Sequence, residues 1–387
     1  MNGWPSIPLG EIMASKSGSV DPAKFPEEVF DLYSIPAFDV GRPDVVAGNE
    51  IGSAKQVVQP GDVLLSRIVP HIRRSWVVGE DRERRLIASG EWIVFRSERV
   101  VPVYLRHVLV GDQFHAQFMR TVAGVGGSLL RARPAQVANI EIRLPPLAEQ
   151  QRIAAVLDKA EALRANRRAA LAKLDTLTQS IFLDLFGDPT ANSRGWPRKT
   201  VREACDEIND CPHSTPVWTE KGAICLRTSN LTVGGWNWSD TRYVSEATFN
   251  ERSKRGDVQP GDIVLSREGT VGIAAIVTPR MRVCMGQRLV QVRPSPSVLV
   301  PEFLLRQLLY VLSPARIGRV MVGSTSQHLN VKELKALRVP IPPLALQREF
   351  ARRVAAVENL KAAHRASLAK LDALFASLQH RAFRGEL

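Results

Sequence analysis

The chain contains the same sequence pattern twice. Five short segments of its 387 residues recur in the same order, each between 192 and 200 residues further along. The longest match, VQPGDVLLSR at 58–67, returns as VQPGDIVLSR at 258–267. The other four pairs are 3–5 with 195–197, 102–105 with 301–304, 145–148 with 342–345, and 171–175 with 368–372. Collinear matches indicate a tandem duplication, so we expect one architecture to be formed twice.

Each repeat begins with a turn-rich part in which short apolar runs alternate with polar loops. Pro-Gly-Asp precedes an apolar run at 60–65 and again at 260–265. A turn of this kind before a β-branched run is typical of a buried strand. Helical stretches at 104–110 and 303–309 lie among such strands. The pattern predicts a mixed α and β globular domain in each repeat.

Each repeat ends with a segment that lacks Gly and Pro, 147–186 in the first and 344–383 in the second. Ala, Leu, Arg, Lys, Glu and Gln dominate both segments, and these residues favour helices. A helix of this length extends roughly 60 Å. The predicted packing stripes, at near-heptad spacing, are Leu157, Leu171, Leu174 and Ile181 in the first helix and Val354, Leu368, Leu371 and Leu378 in the second. Polar residues interrupt both stripes, at Arg164, Arg167, Thr178, Lys361 and His364.

A helix with a near-heptad stripe needs a similar helix to bury it. The simplest packing is an antiparallel, coiled-coil-like pair with the two globular domains at opposite ends, related by a pseudo-twofold axis. The alternative is that each helix folds back onto its own domain, because periodicity does not identify the partner. The predicted class is α+β, with globular domains at 1–142 and 191–341 and long helices within 143–190 and 342–387.

Composition excludes several classes of protein. With 44% hydrophobic and 24% charged residues, the sequence is typical of a soluble globular chain rather than a disordered one. We expect no membrane span and no secretory signal peptide. None of the four cysteines, Cys205, Cys211, Cys225 and Cys284, forms a Cys-x-x-Cys pair. Free thiols in a cytoplasmic protein are therefore expected, with no structural zinc and no cofactor.

The charge balance indicates a polyanionic partner. Lys and Arg number 52 against 39 Asp and Glu, a net charge of +13, which favours nucleic acid. Of this excess, seven charges lie in 188–342 and four in 343–387, whereas 1–145 and 146–187 carry one each. The first domain must therefore rely on local clusters of basic residues if it binds DNA.

No segment carries a recognisable catalytic motif. There is no phosphate-binding Gly-x-x-x-x-Gly-Lys-Ser/Thr, and the glycine-rich 124–128 is interpreted as a loop. The Asn/Asp-Pro-Pro-aromatic signature of base amino-methylation is absent, because both Pro-Pro pairs precede leucine at helix starts. A nuclease built from dispersed carboxylates remains an open alternative.

Loops near the predicted strands carry side chains that suit DNA contacts. Arginine serves both phosphate contact and guanine recognition, and Ser, Thr, Asn and Gln can also contact base edges. Solvated loop residues are the alternative interpretation at each position. The candidates are Arg67, His71, Arg73 and Arg74 in the first domain, and Arg227, Ser229, Asn230, Ser266, Arg267, Thr270, Gln327 and His328 in the second.

These features resemble the specificity subunit of Type I restriction-modification systems. The most specific segments are IRLPPLAEQQRI at 142–153, LAKLD at 171–175 and FGDP at 186–189. Their counterparts are VPIPPL at 339–344, LAKLDAL at 368–374 and the closing AFRGEL at 382–387, and PGD-to-SREGTVG at 260–272 is similar to the strand pair of the family's target recognition domains. The resemblance covers essentially the whole chain.

The resemblance implies a non-catalytic subunit that binds double-stranded DNA. Each target recognition domain would read one half of a split, asymmetric site, and the helices would set the gap between the halves. The helices would also dock modification subunits, two of them, which carry S-adenosylmethionine and methylate adenine. Restriction subunits would join through that complex and cleave DNA with ATP.

Two departures limit what the resemblance transfers. Residues 68–72 (IVPHI) lack the pattern of 268–272 (EGTVG), and Glu149-Gln150 is Leu346-Gln347 in the second copy. Individual base contacts therefore cannot be carried over from the family. Two alternatives remain open: a recognition chain of another restriction architecture, and an enzyme that methylates or cleaves DNA itself.

Overall fold

The computed structural model describes residues 3–14, 18–80, 83–124, 130–313, 316, 321–322 and 328–387. The chain divides into two units. Unit 1 comprises Met1–Arg168 with Ala366–Leu387, and unit 2 comprises Ala169–Arg365. Each unit joins one globular part to about half of each long helix.

The globular part of unit 1 consists of short strands with small helices packed on them. Its strands are β1 (Ser6–Pro8), β2 (Ser19–Val20), β3 (Val29–Tyr33), β4 (Asp44–Ala47), β5 (Lys55–Val57), β6 (Val63–Ser66), β7 (Ser75–Val77), β8 (Arg85–Ala88), β9 (Trp92–Phe95), β10 (Val122–Ala123), β11 (Arg131–Ala132) and β12 (Glu141–Arg143). Its helices are α1 (Ile35–Val40), α2 (Pro102–Val110), α3 (Asp112–Phe118) and α4 (Pro134–Val137). One sheet has the order β2-β5-β8-β3-β4 and another the order β7-β6-β9, while β1 pairs with β12.

Unit 2 has a similar plan, but its sheets differ from those of unit 1 in strand number and strand length. The first long helix, α5 (Leu147–Phe186), leads into it. Its strands are β13 (Arg198–Thr200), β14 (Cys205–Asp210), β15 (Ala223–Leu226), β16 (Leu231–Thr232), β17 (Gly235–Trp236), β18 (Tyr243–Val244), β19 (Ile263–Ser266), β20 (Ala274–Ile276), β21 (Val283–Met285), β22 (Leu289–Pro294), β23 (Met321–Val322), β24 (His328–Leu329) and β25 (Arg338–Pro340). Its helices are α6 (Val201–Ala204), α7 (Glu246–Ser253), α8 (Pro301–Val311), α9 (Val331–Ala336) and the second long helix, α10 (Leu344–Ala382). The sheets include β14-β22-β19-β20 and β18-β15-β21, and β13 pairs with β25.

The strands that follow Pro-Gly-Asp are central and buried, as predicted. Strand β6 lies between β7 and β9, strand β19 lies between β22 and β20, and every residue of both is buried. The predicted short helices are also present, as α2 and α8.

A buried aspartate explains why Pro-Gly-Asp is repeated. The carboxylate of Asp62 accepts hydrogen bonds from Arg96 Nε and Nη2 at 2.7 and 2.6 Å. The carboxylate of Asp262 accepts from the same two nitrogens of Arg293 at 2.8 and 2.9 Å. Each aspartate also accepts a bond from the backbone N–H three residues earlier. The motif therefore closes a turn and places a paired charge in the interior.

A buried glutamine attaches the start of each long helix to its globular part. Gln150 and Gln347 have no exposed side chain. Each accepts one hydrogen bond from a backbone N–H and donates two to backbone carbonyls. The partners are Val101, Arg99 and Pro145 for Gln150, and Val300, Val298 and Pro342 for Gln347, at 2.8–3.0 Å. The change from Glu149 to Leu346 leaves this attachment unaltered.

Two of the polar residues that interrupt the apolar stripes join the two helices. In unit 1, Arg164 Nε on α5 donates to Asp372 Oδ1 on α10 at 2.6 Å, and the guanidinium lies 4.4 Å from the ring centre of Phe375. In unit 2, Lys361 Nζ on α10 lies 2.9 Å from Asp175 Oδ1 on α5. Lys361 follows Arg164 by 197 residues, as Asp372 follows Asp175. One ion pair thus occurs twice with the helices exchanged.

The two helices are antiparallel within each unit. Arg152, near the start of α5, donates to the carbonyl oxygen of Leu387 at 3.0 Å. Phe182, near the end of α5, packs on Phe350, near the start of α10, with ring centres 5.6 Å apart. Both ends of α5 also contribute to the globular cores, because Leu157 and Phe182 are fully buried there. Packing onto the other helix and packing onto a globular part therefore occur together.

The predicted stripe residues differ in burial. Leu157 is the fully buried member. Leu378 packs against the core of unit 1, and Ile181 and Val354 pack against the core of unit 2. The half-buried positions in the middle of the helices are Leu171, Leu174, Leu368 and Leu371.

Two further expectations concern membranes and thiols. Within the described part of the chain, no helix is both long and apolar enough to cross a membrane. Cys205, Cys211, Cys225 and Cys284 are buried free thiols.

Candidate nucleic-acid interface

Loops gather at one edge of the central sheet of unit 2. Strand β19 ends at Ser266, which pairs with Leu289 at the start of β22. The backbone N–H of Arg267 donates to the carbonyl of Arg288 at 3.0 Å, and the N–H of Leu329 donates to the carbonyl of Arg267 at 2.8 Å. We define the loop edge of unit 2 as residues 267–272, 286–288 and 328.

The same backbone framework occurs in unit 1. Strand β6 ends at Ser66, which pairs with Trp92 at the start of β9. The N–H of Arg67 donates to the carbonyl of Glu91 at 3.0 Å, and the N–H of Ala132 donates to the carbonyl of Arg67 at 2.8 Å. We define the loop edge of unit 1 as residues 67–74, 91 and 131.

A buried serine holds the first turn of each loop edge. Ser66 Oγ donates to the carbonyl of Ile68 at 3.0 Å, and Ser266 Oγ donates to the carbonyl of Glu268 at 3.1 Å. Ser266 has no exposed side chain, so it supports the loop from inside the fold. Its predicted role as a DNA contact is corrected accordingly.

Both loops then bend through a left-handed residue. Gly269 has φ +74°, and Val69, at the equivalent position, has φ +48°. A β-branched residue is rare in this region because its side chain crowds the backbone. The sequences 68–72 and 268–272 therefore differ, yet the backbone turns at the same place.

Arg67 is held by an acidic residue in unit 1. Its Nε lies 3.2 Å from Glu91 Oε2, and Glu91 also accepts bonds from Arg131 at 3.1–3.3 Å. The hydrogen bond from Arg131 and the nearby Arg67 charge hold the pKa of the Glu91 carboxyl below its ordinary value, although burial opposes them. Arg67 remains partly exposed, so a contact with DNA stays a prediction.

The other unit 1 candidates separate into one internal residue and two surface residues. Arg74 is 10% exposed and donates from Nε and Nη2 to the two carboxylate oxygens of Asp39, both at 2.9 Å. It therefore supports the loop edge rather than facing a partner. Arg73 donates to Asp112 at 2.6 Å on the surface, and His71 is exposed.

Arg267 is also largely internal. Its Nη1 donates to both carboxylate oxygens of Asp210 at 2.6 and 2.5 Å, and 12% of its side chain is exposed. The arginine that recurs at 67 and 267 is thus tied to a carboxylate in both units, although Glu91 lies in the turn before β9 and Asp210 at the end of β14.

The candidates at 227–230 form a small internal network. Arg227 pairs with Asp240 through Nη2. Asn230 has no exposed side chain; its Oδ1 accepts from the backbone N–H of Arg227 at 2.9 Å and its Nδ2 donates to the carbonyl of Asn237 at 3.1 Å. Asn230 is therefore a structural residue, which corrects its predicted role. Ser229 is exposed.

The last three candidates belong to or adjoin the loop edge of unit 2. Thr270 is exposed, and His328 is half-buried with its backbone bridged to Glu268. Gln327 lies outside the described residues.

Sequence reasoning missed Arg288, the most exposed arginine of this loop edge. Its side chain is 61% exposed, its Nε lies 3.4 Å from Glu268 Oε2, and its backbone has φ +64°. The signal in the sequence was the repeat offset. Arg293 follows Arg96 by 197 residues, and the same offset aligns Arg288 with Glu91. Equivalent positions thus carry an acid in unit 1 and a base in unit 2.

Among the described residues, one cluster has the donor types of a metal site. Ligand atoms of His107, Asp158 and Glu161 lie within 4.8 Å of one another. Arg106 Nη2 lies among them, 2.8 Å from Asp158, 2.9 Å from Glu161 and 3.1 Å from His107 Nε2. The guanidinium already supplies a positive charge to this cluster, which joins α2 to α5.

Comparison with known proteins finds a family model that matches most of the second repeat. Residues 221–373 match the family model described as the Type I restriction modification DNA specificity domain. The predicted resemblance to Type I specificity subunits is confirmed. The matched range begins just before β15 and ends within α10, so it includes the loop edge of unit 2.

Curated Type I specificity subunits are similar to most of the chain. The EcoBI subunit of Escherichia coli is 26% identical over 290 residues, covering 63% of this chain and 58% of that protein. The EcoKI subunit of E. coli strain K12 is 25% identical over 290 residues, covering 68% and 61%. The MjaVIII subunit of Methanocaldococcus jannaschii is 21% identical, covering 57% and 56%. The chain thus matches about three fifths of the length of these curated relatives.

Two solved structures share the fold over nearly the whole chain. One comes from a study of complex assembly and conformational transition of the type I R-M system. Its TM-score is 0.62, its sequence is 24% identical, and the match covers 100% of this chain and 99% of the other chain. The other is the Type I S subunit from M. genitalium, with a TM-score of 0.60, 12% identity and coverage of 98% and 96%.

Proposed function

We propose that the chain is the DNA-recognition subunit of a Type I restriction-modification complex and has no catalytic activity of its own. Each globular part would read one half of a bipartite site, at its loop edge. The observation that carries this proposal is the pair of loop edges, which share one hydrogen-bonded backbone framework and differ in the side chains mounted on it. A framework that is repeated within the chain but carries different side chains suits two readers of different sequences.

The differences between the loop edges favour an asymmetric target. Position 91 is Glu where 288 is Arg, and position 131 is Arg where 328 is His. Side chains of opposite charge prefer different base edges, since arginine donates to guanine and carboxylates accept from cytosine. We therefore expect two unrelated half-sites rather than a palindrome.

Exposed leucines on the long helices support docking of two modification subunits. Leu163 on α5 precedes Arg164, Leu374 on α10 lies two residues after Asp372, and both leucines are exposed. We call these two leucines the unit 1 leucine patch. Single exposed leucines are common on protein surfaces, and what distinguishes these two is that the same positions recur in unit 2.

The same patch recurs in unit 2. Leu177 lies two residues after Asp175, Leu360 precedes Lys361, and both leucines are exposed. Leu360 follows Leu163 by 197 residues, as Leu374 follows Leu177. Two equivalent patches suit two copies of one partner, and the partner that the family resemblance implies is the modification subunit.

Selection from random duplex DNA tests the recognition proposal. The chain, assembled with its cognate modification subunits, should enrich two short half-sites separated by a constant gap. Enrichment of a single contiguous or palindromic motif would contradict bipartite reading by two different loop edges. Methyl transfer or DNA cleavage by the purified chain alone would contradict the non-catalytic role.

The mass of the assembled complex tests the docking proposal. Leu163→Asp with Leu374→Asp should reduce the bound modification subunits from two to one. Leu147→Asp is the matched control, because Leu147 is equally exposed on α5 but lies outside both patches. Retention of both subunits by the double variant, or an equal loss in the control, would rule out the patches as docking sites.

A further inference from the structure

Arg288 combines an unfavourable backbone with an accessible side chain. Its φ of +64° lies in the left-handed region, where a residue with a Cβ is strained. Such a conformation persists only where the surroundings impose it. Here the carbonyl of Arg288 accepts the N–H of Arg267, and the next residue, Leu289, begins the buried strand β22.

The strained backbone does not bury the guanidinium. Arg288 is 61% exposed, whereas Arg267 beside it is 12% exposed and tied to Asp210. Glu268 faces Arg288 at its Nε, 3.4 Å away, which orients the side chain without enclosing it. The backbone hydrogen bond from Arg267 therefore holds Arg288 at a position from which its side chain faces solvent.

We propose that Arg288 reads a guanine in the major groove of the half-site bound by unit 2. This inference rests on the proposed DNA-recognition function. Arginine pairs with guanine O6 and N7 through two parallel N–H donors, and a guanidinium held at one nitrogen is limited in the directions it can take. Unit 1 has Glu91 at this position, so the contact belongs to one half-site only.

The variant Arg288→Gly tests the inference without disturbing the backbone. Glycine adopts a positive φ at no steric cost, so the loop keeps its shape while the guanidinium is removed. The matched control is Arg280→Gly. Arg280 is exposed and has φ +75°, but it follows β20 at the end of the sheet opposite the loop edge.

Both variants, assembled with the modification subunits, are taken through selection from random duplex DNA beside the wild type. Arg288→Gly should lose the preference for guanine at one position of one half-site, by about fivefold or more. The other half-site, the gap and the dependence of affinity on salt should stay as in the wild type. Arg280→Gly should keep the complete motif, and neither variant should have a lower Tm.

Each other outcome contradicts the inference in a different way. An unchanged motif in Arg288→Gly would show that Arg288 reads no base. Equal weakening on every sequence, with a shallower salt dependence, would assign the side chain to a phosphate. A lower Tm with weakened selection of both half-sites would assign it to the framework. Failure of the wild type to select any motif would instead overturn the DNA-recognition function itself.

Discussion

The loop edges of unit 1 and unit 2 share their internal hydrogen bonds but differ in their exposed side chains. Their internal bonds are the same: a buried serine closes the first turn, the following arginine donates its N–H to a carbonyl of the neighbouring segment, and a left-handed residue follows. Their exposed positions differ, with Glu91 in unit 1 where unit 2 has Arg288. Repetition within this chain therefore marks the supporting framework, and divergence marks the surface at which, under the proposed function, the two units would read different half-sites.

The largest expected effect concerns the buried aspartates of the repeated turns. Asp262→Ala removes one buried acceptor from each of Arg293 and Gln291. Arg293 keeps its bond to Glu207 and both side chains keep the carbonyl of Asp257, so the free energy of unfolding should fall by about 3 kcal/mol. Asp62→Ala should cost somewhat less, because Asp62 has the arginine and turn bonds but no glutamine partner among those described. Urea unfolding with hydrogen exchange, which assigns the loss to one unit, measures both.

The control for this pair is the exposed ion pair of Glu246 and Arg282, where Glu246→Ala should have little effect. A loss below about 1 kcal/mol at Asp262 would show that the repeated motif is not a structural support.

The next effect concerns the glutamines at the helix starts. Gln150→Leu and Gln347→Leu keep the side-chain size but leave one N–H and two carbonyls unpaired, so each should cost about 1–3 kcal/mol. Because the two sets of bonds are equivalent, the two losses should be equal within error. Unequal losses would show that the helices are attached to the two units in different ways.

A smaller effect should have opposite signs in the two units. Val69→Gly relieves a left-handed β-branched residue and should stabilise unit 1 by about 1 kcal/mol, whereas Gly269→Val should destabilise unit 2 by about 1–3 kcal/mol. Thermal unfolding with unit-resolved hydrogen exchange measures both changes. If Val69→Gly were destabilising, the valine side chain would be contributing contacts that outweigh the strain.

The sequence predicted elements that depend on local pattern. The long helices were predictable because two segments of about 40 residues lack Gly and Pro, and strands β6 and β19 because each follows Pro-Gly-Asp. It could not predict which arginines face solvent, since that depends on partners distant in sequence. Arg74 is turned inward by Asp39 and Arg267 by Asp210, while Arg288 stands outward. Composition assigns all three to the same class, and tertiary contacts separate them.

The smallest expected effect is a pH dependence confined to unit 1. His107, on α2, is buried against the long helices, where it faces Arg106, Asp158, Glu161 and the ring of Phe375. Burial, and then the positive charge of Arg106, lower the pKa of His107 in the folded chain, although Asp158 and Glu161 oppose this shift.

The sign of the effect follows from this lowered pKa. Unfolded histidine titrates near about 6.5, so below that pH the unfolded chain binds a proton that the folded chain resists. The stability of unit 1 should therefore be complete above about pH 6.5 and fall as the pH is lowered. Unit 2 has Arg306 at the position equivalent to His107, and arginine does not titrate in this range.

Unit-resolved hydrogen exchange between about pH 7 and 5 measures the difference, because it reports the two opening free energies separately. In His107→Gln the pH slope of unit 1 should become shallower, while His380→Gln, a surface change in the same unit, should leave it as it is. An unchanged slope in His107→Gln would mean that other groups, among them His115, whose pKa is also lowered by burial, account for the whole dependence. Equal pH slopes in the two units would show that the exchange of His107 in unit 1 for Arg306 in unit 2 does not make the repeats differ in pH dependence.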